Sequence, residues 1–474
     1  ADGRAVADMT DPDQAKACRG TGLRGRAAPR LAAILIAAAA GLAAVTPAAA
    51  QTPEAEQESV AQRPRLDYES YGLSLDPVDR GARTTGSSPV YAFTRMEVET
   101  GHDSNVRRAS SGETASVFTV ARPGVSLHVD GEKHQTSLTG QAAFGRYGSS
   151  SGDAYDDAQL NLRSRIEVDE DATLALNAGV GRFHIDRGSD LDLGPAYGTQ
   201  TYRSYEFGAQ FETLALENKP IVGTMQSTWY RFDDVDGVDR SGLDRWIGIG
   251  NARIGFARAG EVSFFVQPGV QRVDYSRNDA GNPDSTRLDL SVGATYSGGA
   301  VSQVSGFAGV SRRSYSQSGT AAEFSALVGA KALWNATDLM TVTGDLSISN
   351  EDPTLSSASS VTTSEIGFGV DYEPRDNVIV GTKLRWTDYR YSGDVEDERL
   401  LKAGVDVRYL LNEYAYLGAG LRWEDQSSND AANEFQATIA SLRFGLKLCC
   451  LRDFVTEDRE GRVVRQGVVN GLFR

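Results

Sequence analysis

The chain has 474 residues, a formal net charge of −16, 40% apolar residues and 50 glycines. That acidity excludes a nucleic-acid binder, which needs clustered Lys and Arg against the phosphate backbone. So low an apolar content would leave a soluble domain of this length short of a core, whereas a barrel that turns one apolar face to lipid needs no more.

The first fifty residues read as an export signal. Arg24, Arg26 and Arg30 precede an uncharged run from Leu31 to Val45, and Ala48-Ala49-Ala50 provides a small-residue cleavage site before Gln51. The run is too short for a stable membrane helix. Met9 is the methionine ahead of it and offers a start. Cleavage after Ala50 leaves 42 basic and 60 acidic residues, a net of −18. No cysteine stands at the cut, so no lipid anchor is expected there, and no later segment offers a helical span. Cys449 and Cys450 are adjacent and predict no disulfide framework. Residues 51–88, rich in Gln, Glu, Pro, Ser and Gly, read as a flexible periplasmic lead, with a short plug around Tyr68 to Leu75 as the alternative.

From about Pro89 to Leu448 one pattern recurs about eighteen times: an alternating apolar and polar segment, then a turn. In Asp156 to Val168, for example, Ala158, Leu160, Leu162, Ser164, Ile166 and Val168 share one face, while Gln159, Asn161, Arg163, Arg165 and Glu167 share the other. A period of two is a strand with one apolar and one polar face. Tight turns such as Asp130-Gly131-Glu132-Lys133, Asp169-Glu170-Asp171 and Ala259-Gly260 alternate with long connections such as His102 to Glu113 and Arg187 to Thr199. The pattern predicts an all-β, transmembrane, antiparallel up-and-down barrel over residues 89–448, with sixteen to eighteen strands. Its short turns would lie in the periplasm and its longer loops outside, as in barrels of the outer membrane of Gram-negative bacteria. Two aromatic belts are expected. The outer would hold Tyr147, Tyr155, Phe183, Tyr230, Phe232, Tyr275, Tyr315, Tyr389, Tyr391 and Trp423; the inner, Phe256, Tyr296, Trp334, Tyr372, Tyr409 and Tyr416. A soluble propeller would repeat a motif every forty to fifty residues or so, and none is found.

Charges on the polar face must look into water, because Arg or Lys at the bilayer midplane costs about 2–4 kcal/mol. The candidate pore-lining residues are Arg163, Arg165, Glu206, Glu212, Arg287, Asp289, Lys331, Glu365, Lys383, Arg385, Lys402, Asp406, Arg408, Arg422 and Arg443, with Gln210, Glu323 and Lys447 beside them. Sixteen to eighteen strands leave an aqueous channel. Mixed signs around it would set a transverse field that orients polar solutes. His102, His128, His134 and His184 show no metal-site spacing, and no cofactor is expected. An enzyme would rest on His184 with Asp186, a pair that more often belongs to solvated loop chemistry.

The segment Glu97 to Val106 ends a strand in Asp103-Ser104-Asn105-Val106, and the next strand carries Val120-Ala121-Arg122-Pro123-Gly124-Val125, echoed at Val266-Gln267-Pro268-Gly269-Val270. With the lead around Tyr71-Gly72-Leu73, these features resemble the putative β-barrel porin type 2 family of bacterial outer-membrane barrels. The resemblance implies exopolysaccharide secretion, with periplasmic polysaccharide-export proteins as partners and a polar solute or polysaccharide as cargo. It carries over no catalytic residue. Outer-membrane lipid and the barrel-assembly machinery are the remaining expected partners. Assembly usually reads an aromatic residue closing the last strand. Here Ser441 to Leu448 is followed by a tail, 449–474, that reads as a periplasmic extension or as an altered frame past the true end. A non-conducting structural or adhesive barrel is the competing expectation.

Overall fold

A computed structural model describes residues 90–448, apart from 190, 216–218, 278–282, 299–301, 318–320, 353–359, 393–396 and 413, together with 455–457 and 463–465. The expected export signal (1–50), the lead (51–88) and the Cys449-Cys450 pair lie outside the described residues.

Eighteen long strands follow one another: β1 Val90–Asp103, β2 Ser116–Asp130, β3 His134–Tyr147, β4 Tyr155–Glu167, β5 Ala172–His184, β6 Thr201–Ala215, β7 Lys219–Phe232, β8 Arg245–Ala259 and β9 Val262–Tyr275 in the first half. The second half holds β10 Ser285–Gly298, β11 Ser302–Tyr315, β12 Glu323–Thr337, β13 Met340–Glu351, β14 Val361–Arg375, β15 Val378–Tyr391, β16 Asp397–Leu410, β17 Ala415–Ser428 and β18 Phe435–Leu448. Every strand pairs antiparallel with its chain neighbours. β1 also pairs with β18, from Thr94↔Leu448 to Asp103↔Ile439, so the sheet closes on itself. Closure removes the unpaired edges that an open sheet of this size would present. The molecule is a closed 18-stranded antiparallel barrel.

Nine longer loops gather at one end, the longest over 185–200, and eight short turns at the other. The tail contributes one further ladder, β19 Val455–Glu457 against β20 Val463–Arg465, which the aperiodic sequence there did not announce.

Alternation sorts the side chains as a period of two requires. Leu288, Leu290 and Val292 of β10 are each more than half exposed, and their parity defines the outer face. The opposite parity carries contacts that skip over a strand, such as Tyr416 Oη donating to Glu97, from β17 to β1 past β18. A concave inner wall brings such groups together. Both Pro-Gly pairs of the sequence motif leave a gap in the ladder on one side. Pairing of β2 with β3 passes from Ala121↔Phe144 to Gly124↔Gln141, and of β8 with β9 from Asn251↔Gly269 to Ile254↔Val266. Proline has no N–H for the ladder.

The aromatic belts need correction. Tyr147, Tyr155, Phe183, Tyr230, Phe232, Tyr275, Tyr315, Tyr389 and Tyr391 all carry inner-face parity, and of the ten assigned to the loop end Trp423 alone points outward. At the turn end Tyr416 is likewise internal and buried, whereas Phe256, Tyr296, Trp334, Tyr372 and Tyr409 are exposed outside. The outer face at the loop end draws its rings from Tyr205, Trp229, Trp246, Phe324 and Trp386 instead. One residue of register moves a ring to the other face, so proximity to a strand end did not settle which side it served.

Candidate functional site: the barrel interior

All fifteen charged residues proposed from alternation carry inner-face parity. They are not equivalent. Arg163, Arg165, Glu212, Lys383, Arg385 and Arg422 are exposed within the barrel. Glu206, Asp289, Lys331, Glu365, Lys402, Asp406 and Arg443 are half-buried. Arg287 and Arg408 are buried, which removes them from contact with a solute. Arg287 is held by Asp289 at 3.0 Å and donates to the Asn350 carbonyl at 2.6 Å. Arg408 lies over the Tyr416 ring, 5.6 Å from its centroid.

Around the closure seam the charges interlock. Arg122 bridges Glu97 and Glu99 at 2.9 and 2.7 Å, Arg443 reaches Glu99 at 3.1 Å, and Tyr416 donates to Glu97. Glu97 and Glu99 are almost wholly buried. Such carboxylates survive burial only with charged and hydrogen-bonded partners. Glu97, Glu99 and Arg122 were absent from the sequence candidates, although Arg95-x-Glu97-x-Glu99 displays the alternation that would have found them. The Tyr416 ring lies flat on the wall because its neighbour is Gly445, where a Cβ would sit 1.8 Å from the ring.

The Asp103-Ser104-Asn105-Val106 motif fastens the same seam from the loop end. Ser104 N donates to the Thr438 carbonyl at 3.0 Å, and Thr438 N donates back to Ser104 Oγ at 2.9 Å, tying the end of β1 to β18. Asn105 is fully buried. Its Oδ1 accepts from Ala109 N at 3.0 Å, and its Nδ2 donates to the carbonyls of Ala109 and Gln436 at 2.8 and 3.1 Å. Val106 is buried beside it and donates to the Thr114 carbonyl. The first loop thus folded sends Arg108 to Asp103 (3.0 Å) and to Glu424 of β17 (2.9 Å). Burial works against the Arg108 charge, but Glu424 and Asp103 outweigh it and raise its pKa.

The other loops knit into the rim. Arg107 pairs with Asp153 at 2.9 Å and donates to the Pro195 carbonyl, Arg240 donates to Gln200 and to the Leu191 carbonyl, and Arg277 pairs with Asp239 at 3.0 Å. Beneath them Phe183, Leu191, Tyr202, Tyr230, Phe232, Ile247 and Tyr275 pack as an apolar cluster on the inner wall. The Arg245 guanidinium lies 5.5–5.7 Å from the rings of Tyr230, Phe232 and Tyr275. Tyr275 donates to Asp352, just beyond β13, and Arg313 of β11 reaches Asn350 Oδ1 at 2.9 Å. These links cut chords inside the loop end and narrow it. Burial pushes the Asp352 carboxyl up.

His184 does not form the expected pair with Asp186 alone. Its Nδ1 meets Asp157 at 2.7 Å, its Nε2 faces Asp186 at 3.5 Å, and its ring stacks on Tyr155 at 3.7 Å. With both nitrogens facing carboxylates and one face covered, the imidazole ties β4 to β5 and presents no free base to a nucleophile. Asp186 itself is exposed at the start of the longest loop. Crowding there opposes its charge, yet His184, Lys402 and Arg422 hold its carboxyl at about 2. An acidic loop therefore stands near the cations of β16 and β17.

In a ring of eighteen, strands nine places apart face each other, so β6 opposes β15. β6 carries Glu206 and Glu212 inward, and β15 carries Lys383 and Arg385. Among the described residues, no group of three or more His, Cys, Asp or Glu is arranged to hold a metal ion.

The family described as Putative beta-barrel porin 2 matches residues 86–448. None of the curated proteins matches the chain. Similar solved structures include Pseudomonas aeruginosa OccK2 (OpdF) in complex with glucuronate, 11% identical, covering 76% of this chain and 98% of that one, with a TM-score of 0.42. Others are P. aeruginosa OpdK with vanillate (12% identical, 75% and 99% covered, TM-score 0.42) and the siderophore receptor PirA from Acinetobacter baumannii (9%, 76% and 81%, TM-score 0.39).

Proposed function

The chain belongs to the Putative beta-barrel porin 2 family, porin-like channels of the outer membrane, and from that premise we propose that it passes hydrophilic solutes, with polysaccharide export as its dedicated use. The observation that carries the proposal is the sorting of charge. Charges of both signs line the inner face of a closed 18-stranded wall whose outer face is apolar along the middle of its strands. A barrel of that size is wide enough to be wet. The long loops would face outward and the short turns the periplasm, where periplasmic export proteins would dock. Export would follow cleavage after Ala50, and the barrel-assembly machinery would insert the mature chain. Arg163, Arg165, Glu212, Lys383, Arg385 and Arg422 are the side chains a solute would meet, and the field from β15 to β6 would orient it.

The experiment is conductance of the purified, folded protein in a planar bilayer. Stepwise ion current is expected, and its absence refutes the channel. Deletion in the native host tests the cargo: reduced surface polysaccharide is expected. Unchanged polysaccharide with altered uptake of small solutes would replace export by general permeation. The interlocked rim of loops favours a second reading, a non-conducting barrel that binds external partners, and the same bilayer recording separates the two.

A further inference from the structure

Three arginines stand in a row across adjacent strands on the outer face, near the loop end. Arg182 of β5 is directly opposite Arg203 of β6, and Arg203 is directly opposite Arg231 of β7. All three are exposed. Like charges directly across a ladder destabilise it, so the row has a cost within the protein alone. Among the described residues, Asp233 pairs with two of them, 2.9 Å from Arg203 and 3.5 Å from Arg182, and Asp244 in the loop before β8 acts on Arg231 through charge. Three guanidiniums against these two carboxylates still leave an excess of positive charge and of N–H donors directed outward.

The level of the row identifies what could neutralise it. Two residues nearer the midplane, about 7 Å along the strands, lies an aromatic row on the same face: Tyr205 opposite Trp229, and Trp229 opposite Trp246, with the two indoles 6.4 Å apart. Aromatic rings of that kind mark the boundary between acyl chains and head groups. The arginines therefore stand at head-group height in the outer leaflet. The arrangement recurs on β15 and β16, where Arg390 and Arg399 hold Asp388 between them at 2.8 and 2.9 Å.

We propose that Arg182, Arg203 and Arg231 bind the phosphate groups of a phosphorylated glycolipid in the outer leaflet. A guanidinium presents a planar fork that matches phosphate in two parallel hydrogen bonds. The sugar would rest against the indoles of Trp229 and Trp246, and the acyl chains would continue down the apolar wall past Phe207. Asp233 holds the row together without lipid and competes with the phosphate. The proposal goes beyond the channel reading and takes from it only the outward direction of the loops.

The test is native mass spectrometry of the folded protein in detergent, titrated with bisphosphorylated hexa-acyl lipid A. The comparison probes are the same lipid with its phosphates removed, phosphatidylglycerol and inorganic phosphate. The wild-type chain should retain the bisphosphorylated lipid. The triple variant Arg182→Gln, Arg203→Gln, Arg231→Gln should bind it at least about tenfold more weakly, a loss of roughly 1.4 kcal/mol. Asp233→Asn should bind it more tightly, an increase that simple structural damage would not give. Equal binding by the triple variant overturns the proposal. So does equal wild-type affinity for the dephosphorylated lipid, phosphatidylglycerol or inorganic phosphate, and so does Asp233→Asn binding no more tightly than wild type. The heat-dependent gel shift of folded barrels checks folding of each variant, and Asp233→Asn decides the matter if the triple variant fails to fold. Bilayer current plays no part in the readout, so failure here leaves the channel reading untouched, and the reverse.

Discussion

Asn105 offers a direct way to measure what the sequence motif does. Its side chain is fully buried and makes three hydrogen bonds: one from Ala109 N, one to the Ala109 carbonyl and one to the Gln436 carbonyl. Asn105→Ala would leave one donor and two acceptors without partners. Each buried orphan costs about 1–3 kcal/mol. Water entering the vacated space would recover part of that, leaving a loss of roughly 3–5 kcal/mol. The loss falls first on the loop between β1 and β2, because its fold depends on this side chain, while the strands keep their ladders. That loop carries Arg107 and Arg108, both sites for trypsin. When opening and closing are fast relative to cleavage, the cleavage rate follows the open population. A loss of 3 kcal/mol raises that population by about two orders of magnitude. Folded protein in detergent should therefore be cut after Arg107 or Arg108 some hundredfold faster in Asn105→Ala, as followed by mass spectrometry. Asn105→Asp should behave similarly at neutral pH, because its second oxygen would face two carbonyls. A cleavage rate within twofold of wild type in either variant would refute the assignment of the motif as a loop clasp.

Arg122→Leu would strip the shared cation from buried Glu97 and Glu99. Breaking a buried pair from one side costs about 3–5 kcal/mol, so the urea midpoint for unfolding from lipid vesicles should fall; an unchanged midpoint would count against the seam network. Gly445→Ala would place a Cβ 1.8 Å from the Tyr416 ring and cost about 1–3 kcal/mol. Adding Tyr416→Ala should recover part of that cost, and a simple sum of the two losses would show the ring is not the obstacle. Reversing Lys383 and Lys402 to Glu should move the reversal potential in a salt gradient toward cation selectivity, and an unmoved potential would mean that current does not pass these residues.

The architecture was legible because two independent signals agreed. A period of two fixed which side chains share a face, and the alternation of short with long connections fixed how strands follow one another. The expected span from Pro89 to Leu448 became Val90 to Leu448, with closure of β1 on β18. The rim was not legible. Arg108 meeting Glu424, and Tyr275 meeting Asp352, join residues far apart in sequence, and no local pattern encodes which loop leans inward. The aromatic belts failed for a different reason. Phe183 and Tyr230 do lie at strand ends, but parity assigns them to the interior, where they form an apolar shelf under the loops.

For the interior itself, parity was sufficient to choose a face but not to say what a side chain does there. Arg287 and Arg408 follow the same alternation as Arg163 and Lys383, yet neighbours enclose the first two and leave the others open. Enclosure follows from contacts across strands, as where Asn350 of β13 takes a bond from Arg287 of β10. The inner charges thus divide by physical role. Near the seam between β17 and β2, the carboxylates Glu97, Glu99 and Glu424 are buried and paired with Arg122, Arg443 and Arg108, so their electrostatic energy is already committed to holding the wall closed. Lys383, with Arg163 and Arg165 elsewhere on the wall, stays open to water, where its field can act on a passing solute. Selectivity should therefore follow substitution of the open charges, while substitution of the seam charges should change stability before it changes current.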